Sequence, residues 1–547
     1  MRLIGAALLL MAAVAPRAND FDLVLSGGRV VDGSGAPWFT ADVGVRGDRI
    51  AAVGDLGGAS AARRVDARGL TVTPGFIDLL GQSEYHVLVD PRAASKVLQG
   101  ITTEITGEGD SIAPLSDAMV ASRMDSYRHY GLVPSWRDLA GYFAAFQKAR
   151  PAISLGTFVG AGGVRELVVG NDNRGATPAE LARMERLVAE AMEQGAFGLS
   201  SSLIYVPGSF ASTEELVALA RVASRHGGSY ITHMRNEDDH LDAAFDEVLR
   251  IAREARIAAD VYHLKTAGQR NWGTMPRLLG RLEAARAEGL DVAANQYPYT
   301  ASGNELSAAL PQWAREGGRD KLVARLKDEA TRARIRKALD DEGEWPEKGK
   351  RILLTSVLNP AAKSLEGKTL AQIGRERGID PREALMDVLI EDNANTSRVT
   401  FTMHEEDVKS ALAHRLVAFC TDSGSRAEDG PLSRERSHPR GWASTARILG
   451  KYVRDEKVLP LEEAVRKMTS LPAARVHLVD RGLIRPGMAA DLVAFDLARV
   501  AERSRFEDPN HYSEGFLYVA VNGKLAVDGG RLTEQRVGRP LYGPGKR

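Results

Sequence analysis

Four side chains in this sequence have the types to form a hydrolytic centre. His233 closes the run SYITH, His263 closes AADVYH, Asp422 closes LVAFCTD, and Glu108 follows ITTEITG. Neutral imidazole and carboxylate are natural ligands for zinc or a similar divalent ion. Such an ion polarises a carbonyl and lowers the pKa of water toward ~7, and a carboxylate beside it can carry the water's proton to a leaving nitrogen. Asp422 fits the proton-carrying role. Each residue alone has an ordinary explanation. A His at a strand end is commonly a hydrogen-bonded structural residue, and an Asp there commonly caps the next helix. Their joint placement at the ends of four apolar runs marks a site.

Residues so far apart in the chain need a frame that brings strand ends together. A β-like run followed by a helical pattern recurs at Thr73–Leu79, Ile101–Thr106, Ile153–Gly160, Ala196–Ser200, Ser229–His233, Ala258–His263, Leu290–Asn295 and Leu416–Asp422. Apolar residues recur with a period near 3.6 over Ala179–Glu193 and Ala243–Ala255, which predicts helices there. Eight strands with intervening helices predict an α/β fold, a (β/α)8 TIM barrel over 73–477, whose reactive groups sit at the C-terminal ends of the strands. The stretch near 303–398 is charged and helix-rich and reads as an insertion before the eighth strand. Both chain ends differ from the middle. Segments 20–72 and 478–547 show short β-branched runs between glycine-rich turns, and Asn522-Gly523 is a hairpin signal. They predict a small β domain, antiparallel at its N-terminal part.

Composition narrows the function. Lys+Arg and Asp+Glu are both 72, so the chain has no basic excess for nucleic acid. The one cysteine, Cys420, excludes an intrachain disulfide and CxxC-type zinc sites. The N-terminus reads MRLIGAALLLMAAVAPRA, a positive residue, an apolar run and a small-residue cleavage pattern, so residues 1–18 are expected to be a secretory signal peptide and the protein periplasmic or secreted. No later stretch is apolar over ~18 residues, and no membrane span is expected after cleavage.

The chain resembles the amidohydrolase superfamily, and within it the N-acyl-D-amino-acid deacylase (D-aminoacylase) group. The matching pieces run in order along nearly the whole mature chain: VLSGGRVVDGSG at 24–35, TPGFID at 73–78, QGITTEI at 99–105, GLSSSLIYVPG at 198–208, THMRNE at 232–237, HLKTAG at 263–268, QYPYTASG at 296–303, HPRGW at 438–442 and IRPGMAADLVAFD at 484–496. The resemblance implies a TIM barrel flanked by a β-sandwich built from both chain ends. It implies that His233 and His263 are metal ligands, that Asp422 is the catalytic aspartate, and that Lys265, Tyr297 and Arg440 hold a substrate carboxylate.

Two departures from that pattern shape the expected site. The group's first-strand His-x-His is replaced by Leu80 and Gln82, and the strand-two cysteine ligand is missing where GEGDSIAP stands. What remains is one three-ligand position made of His233, His263 and Glu108, with water as fourth group, which predicts one divalent ion, zinc. Gln82, Ser83 and Glu84 are candidates to fill the vacated space. His86 is expected to point elsewhere, and Cys420 to belong to the barrel core. His404 reads as a helix-start or surface residue, and Tyr205 as pocket lining or packing. The expected activity is hydrolysis of a linear amide in a small substrate with a free carboxylate. A dipeptidase, a cyclic amidohydrolase and a metal-free binding protein are the alternatives.

Overall fold

The barrel begins where the chain reads TPGFID. The computed structural model describes residues 19–547, and the leader-like segment 1–18 lies outside them. The sequence predicts one strand over Thr73–Leu79, yet two form. Thr71–Pro74 pairs antiparallel with Leu492–Phe495 in the companion domain, and Phe76–Asp78 is the first barrel strand. Pro74 has no N–H to continue a ladder, and the Gly75 N–H turns away to the Asp491 carbonyl at 2.8 Å.

From there the strands pair in parallel in chain order. Phe76–Asp78, Ile101–Thr106 and Ser154–Thr157 form one arc. Val159–Gly160, Gly198–Ser202, Ser229–His233, Ala259–Val261, Val292–Gln296 and Val417–Phe419 form the other. Thr157 and Val159 link the arcs through Phe158. The ring closes at the C-terminal ends, where a parallel bridge joins Gly81 to Ser423 and the Asp422 N–H donates to the Leu80 carbonyl at 2.9 Å. Helices cover the outside as their apolar period requires. Pro178–Gln194 starts with a Thr177/Glu180 capping box and stops at Gly195 in the left-handed region (φ +113°). Leu241–Ala255 turns Leu241, Phe245, Val248 and Ile251 inward.

The companion domain joins both chain ends, but its strands hydrogen-bond as one nine-stranded sheet rather than two separate ones. It is also mixed where an antiparallel unit is predicted at the N-terminal part. Ala61–Asp66 and Thr71–Pro74 run parallel to Phe21–Val30, because longer crossings rather than hairpins connect them. Asn522 and Gly523, at φ +43° and +79°, turn Phe516–Val521 into Lys524–Asp528, as the hairpin signal predicts.

The insertion is a unit of its own. Ala301–Glu305, Ser397–Phe401 and Ile352–Ser356 make a three-stranded antiparallel sheet over a separate core that includes Leu322, Leu326, Ile335, Leu339, Leu354 and Leu385. Its strands reach the mouth of the barrel, where Asn304, Thr355 and Arg398 line the cavity above the strand ends.

Candidate active site

Glu108 owes its position to the two residues that flank it. Gly107 and Gly109 have φ of +94° and +67°, a region open to glycine at no steric cost. A Cβ on Gly109 would meet Ser202 Cβ at 2.3 Å, and one on Gly107 would meet the Phe158 carbonyl at 2.5 Å. The Ser200 hydroxyl donates to the Gly107 carbonyl and accepts from the Gly109 N–H at 3.3 Å. The turn after the second strand is thereby pinned to the fourth strand, and Glu108 points into the barrel mouth.

There it meets both histidines. Glu108 Oε1 lies 2.9 Å from His233 Nδ1 and 3.2 Å from His263 Nε2. Ligand-type atoms of the three residues all lie within 4.8 Å of one another. This donor set, one carboxylate and two imidazoles, fits a divalent ion with room for water. Burial disfavours charge on His233, but the negative charges of Glu237 and Glu108 outweigh it and raise its pKa to about 9.

Glu237 stands behind both imidazoles, 3.1 Å from His263 Nδ1 and 3.5 Å from His233 Nε2. Carboxylates in that position orient metal-binding histidines. Lys265 donates to Glu237 at 2.8 Å and lies 2.6 Å from His263 Nδ1. Glu237 escaped the reading of single residues although it ends the motif THMRNE. Its signal was its place four residues after His233.

Asp422 and Arg440 are the second pair. Asp422 Oδ2 lies 2.6 Å from an Arg440 Nη, and Asp422 Oδ1 accepts from Gln82 Nε2 at 3.0 Å. Burial raises the Asp422 pKa above the usual carboxylate range despite Arg440. Arg440 also lies 4.7 Å from the Tyr297 ring centre and donates to the Gly303 carbonyl at 3.0 Å. The Tyr297 hydroxyl is buried with no hydrogen-bond partner among the described residues. Lys265 and Arg440 therefore already face carboxylates of the protein, while Tyr297 has an open hydroxyl.

His263 and Asp422 share a backbone peculiarity, with φ of +34° and +52°. Non-glycine residues occupy this region when surrounding structure holds them, commonly at functional sites. The Asn295 Oδ1 holds the His263 N–H at 2.6 Å.

Other candidates fall outside the centre. His86 Nδ1 donates to the Gln82 carbonyl at 2.9 Å, away from the centre. His404 precedes Glu405–Ala413 and stacks with Trp272 at 5.2 Å. Cys420 is fully buried. Tyr205 lines the cavity, 5.5 Å from the His233 ring. The cavity holds about 450 Å³, suited to a small molecule.

The comparisons with known proteins agree with this frame. A model of the amidohydrolase family matches residues 63–527. The chain belongs to the amidohydrolase family. D-aminoacylase of Alcaligenes xylosoxydans xylosoxydans is 37% identical over 526 residues, covering 96% of this chain and 98% of that protein. A solved D-aminoacylase, described by its binuclear metal centre with one-metal activation and second-metal attenuation, is 35% identical with a TM-score of 0.80, covering 95% of this chain and all of that one. The N-acyl-D-glutamate deacylase of Bordetella bronchiseptica, solved with zinc and a phosphonate mimic of the tetrahedral intermediate, is 32% identical with a TM-score of 0.81, covering 95% of this chain and 99% of that one. This amidohydrolase is thus a metal-dependent hydrolase with a TIM barrel and an added domain.

Proposed function

We propose that this amidohydrolase removes the acyl group from N-acyl-D-amino acids, using one zinc ion held by Glu108, His233 and His263. The observation that carries the reading is the convergence of those three residues beside Asp422. A zinc ion there would supply Lewis acidity, polarising the amide carbonyl and acidifying water. The rest falls to side chains. Asp422, with its raised pKa, takes a proton from the attacking water at Oδ1 and delivers it to the amide nitrogen. Glu237 fixes both imidazoles. Tyr297 donates its open hydroxyl to the substrate carboxylate, and Arg440 shares its charge between that carboxylate and Asp422. Tyr205 walls the site beside His233. D-configuration is supported by the relatives, whose names specify D substrates. The substrate's free carboxylate is what separates this reading from a cyclic amidohydrolase.

Elemental analysis of the purified protein, followed by assay on paired N-acetyl-D- and N-acetyl-L-amino acids and dipeptides, tests the reading. Zinc with D-selective release of acetate is expected. Equal turnover of L substrates, or of dipeptides alone, would overturn it.

Within the D series, one observation favours acidic side chains. Arg398 lines the cavity, is 8% exposed and has no carboxylate within 4.0 Å among the described residues, its Nε donating to Asn304 at 3.0 Å. Burial lowers its pKa to about 10. A buried guanidinium of this kind suits a second carboxylate on the substrate. Arg398→Met should cut kcat/KM for N-acetyl-D-glutamate by about 10-fold or more and leave N-acetyl-D-leucine unchanged. Equal losses on both would reject it.

The signal-peptide reading of residues 1–18 supports a periplasmic address. Fractionation of the producing cells should find the shortened chain outside the cytoplasm.

A further inference from the structure

We propose that Gln82 replaces a second cation in this site, holding Glu108 and Asp422 together through its side-chain amide and keeping the centre mononuclear. The inference rests on the one-metal reading above and concerns only this chain's own residue at that place.

Glu108 and Asp422, each already paired with a cationic or imidazole neighbour, are joined to each other by one neutral donor. Gln82 Nε2 donates to Glu108 Oε2 at 2.9 Å and to Asp422 Oδ1 at 3.0 Å. An amide nitrogen has two protons, so one goes to each oxygen and none is left over. The Nε2 lies where a cation bridging these carboxylates would lie. The amide NH2 donates and does not coordinate, so with Nε2 turned to both carboxylates it presents no lone pair at that place.

The two residues before Gln82 supply no ligand of their own. Leu80, two residues earlier on the same segment, is fully buried and apolar. Gly81 packs against the Glu104 carboxylate, where a Cβ would meet Cδ at 2.5 Å, so a larger side chain at 81 would have to displace Glu104. The backbone of Gln82 is held at both ends. Its N–H donates to the Ser423 carbonyl at 3.1 Å and its own carbonyl meets His86 Nδ1 at 2.9 Å. His86 is thereby committed to the backbone.

The clamp has a second effect. Asp422 is gripped from two sides, by Gln82 at Oδ1 and Arg440 at Oδ2. Gln82 is therefore a positioning residue for the proton carrier, and its loss should act on turnover rather than on substrate binding.

Metal content measured on protein dialysed against excess zinc tests the proposal directly. The wild type should hold one equivalent, and its melting temperature should show a single saturable rise with zinc. Gln82→Glu, which keeps the shape and turns the donor into a third carboxylate, should hold two. Gln82→Met should keep one equivalent and the wild-type KM while kcat falls by about 10- to 100-fold. Two equivalents in the wild type would overturn the clamp and leave the one-metal chemistry of the first ion intact. One equivalent in a folded Gln82→Glu protein would also overturn it, as would an unchanged kcat in Gln82→Met. No metal in the wild type would overturn the proposed function and this inference with it.

Discussion

Asp422 is the residue on which the chemistry turns, and its variant gives the sharpest prediction. Asp422→Asn keeps the hydrogen-bonding shape toward Arg440 but removes the proton acceptor. It should lower kcat by about 100-fold or more and leave zinc content and Tm near wild type, all three measured on one preparation. A pH prediction belongs to Glu84, whose Oε2 is buried without a hydrogen-bond partner and whose pKa burial raises from 4.5 to about 8. The folded state keeps this proton where the unfolded chain releases it, so folding loses stability as pH rises from about 4.5 to about 8. Glu84→Gln has no proton to lose. Its Tm advantage over wild type should grow from pH 5 to pH 8 in paired thermal melts. At this scale the sequence was readable where one residue type at one strand end suffices, as with His233, His263 and Asp422. It was not readable where a role depends on two distant partners. Nothing in GQSEYH indicates that Gln82 faces Glu108 and Asp422, and HPRGW does not show Arg440 already paired.

Among the elements, the turn Gly107-Glu108-Gly109 does most to build the centre. Gly109→Ala would need a left-handed alanine pressed against Ser202. The turn must open, and Glu108 leaves the histidines. We expect the variant to fold with a Tm lower by a few degrees and to bind zinc at least 10-fold more weakly, read by competition with a chelator. The helices expected from period over 179–193 and 243–255 form as Pro178–Gln194 and Leu241–Ala255, and the barrel strands fall on the apolar runs. The split at Pro74-Gly75 was not legible, because both halves are apolar and buried, and the partner that captures Thr71–Pro74 lies at the far end of the chain. The same holds for the parallel pairing of Ala61–Asp66, which short-range turn signals do not report.

The whole molecule is tied shut by its C-terminal tail. Backbone hydrogen bonds link Gly538 to Pro151, Arg539 and Leu541 to Leu155, Gly543 to Gly195 and Arg547 to Glu193, across the start of the third barrel strand and the helix before the fourth. At about 1 kcal/mol each, deleting 534–547 should lower Tm by about 5 °C or more in a calorimetric scan while the purified folded fraction keeps its zinc. The companion sheet shows the same closure. Phe21–Val30 and Thr71–Pro74 are made first, yet Leu492–Phe495, which joins their sheet to Phe516–Val521, is made near the end. Until then the strand Thr71–Pro74 keeps an open edge that no local segment fills. A ribosome must release almost the whole polypeptide before that sheet is complete, so its closure waits on the last segments of the chain to emerge.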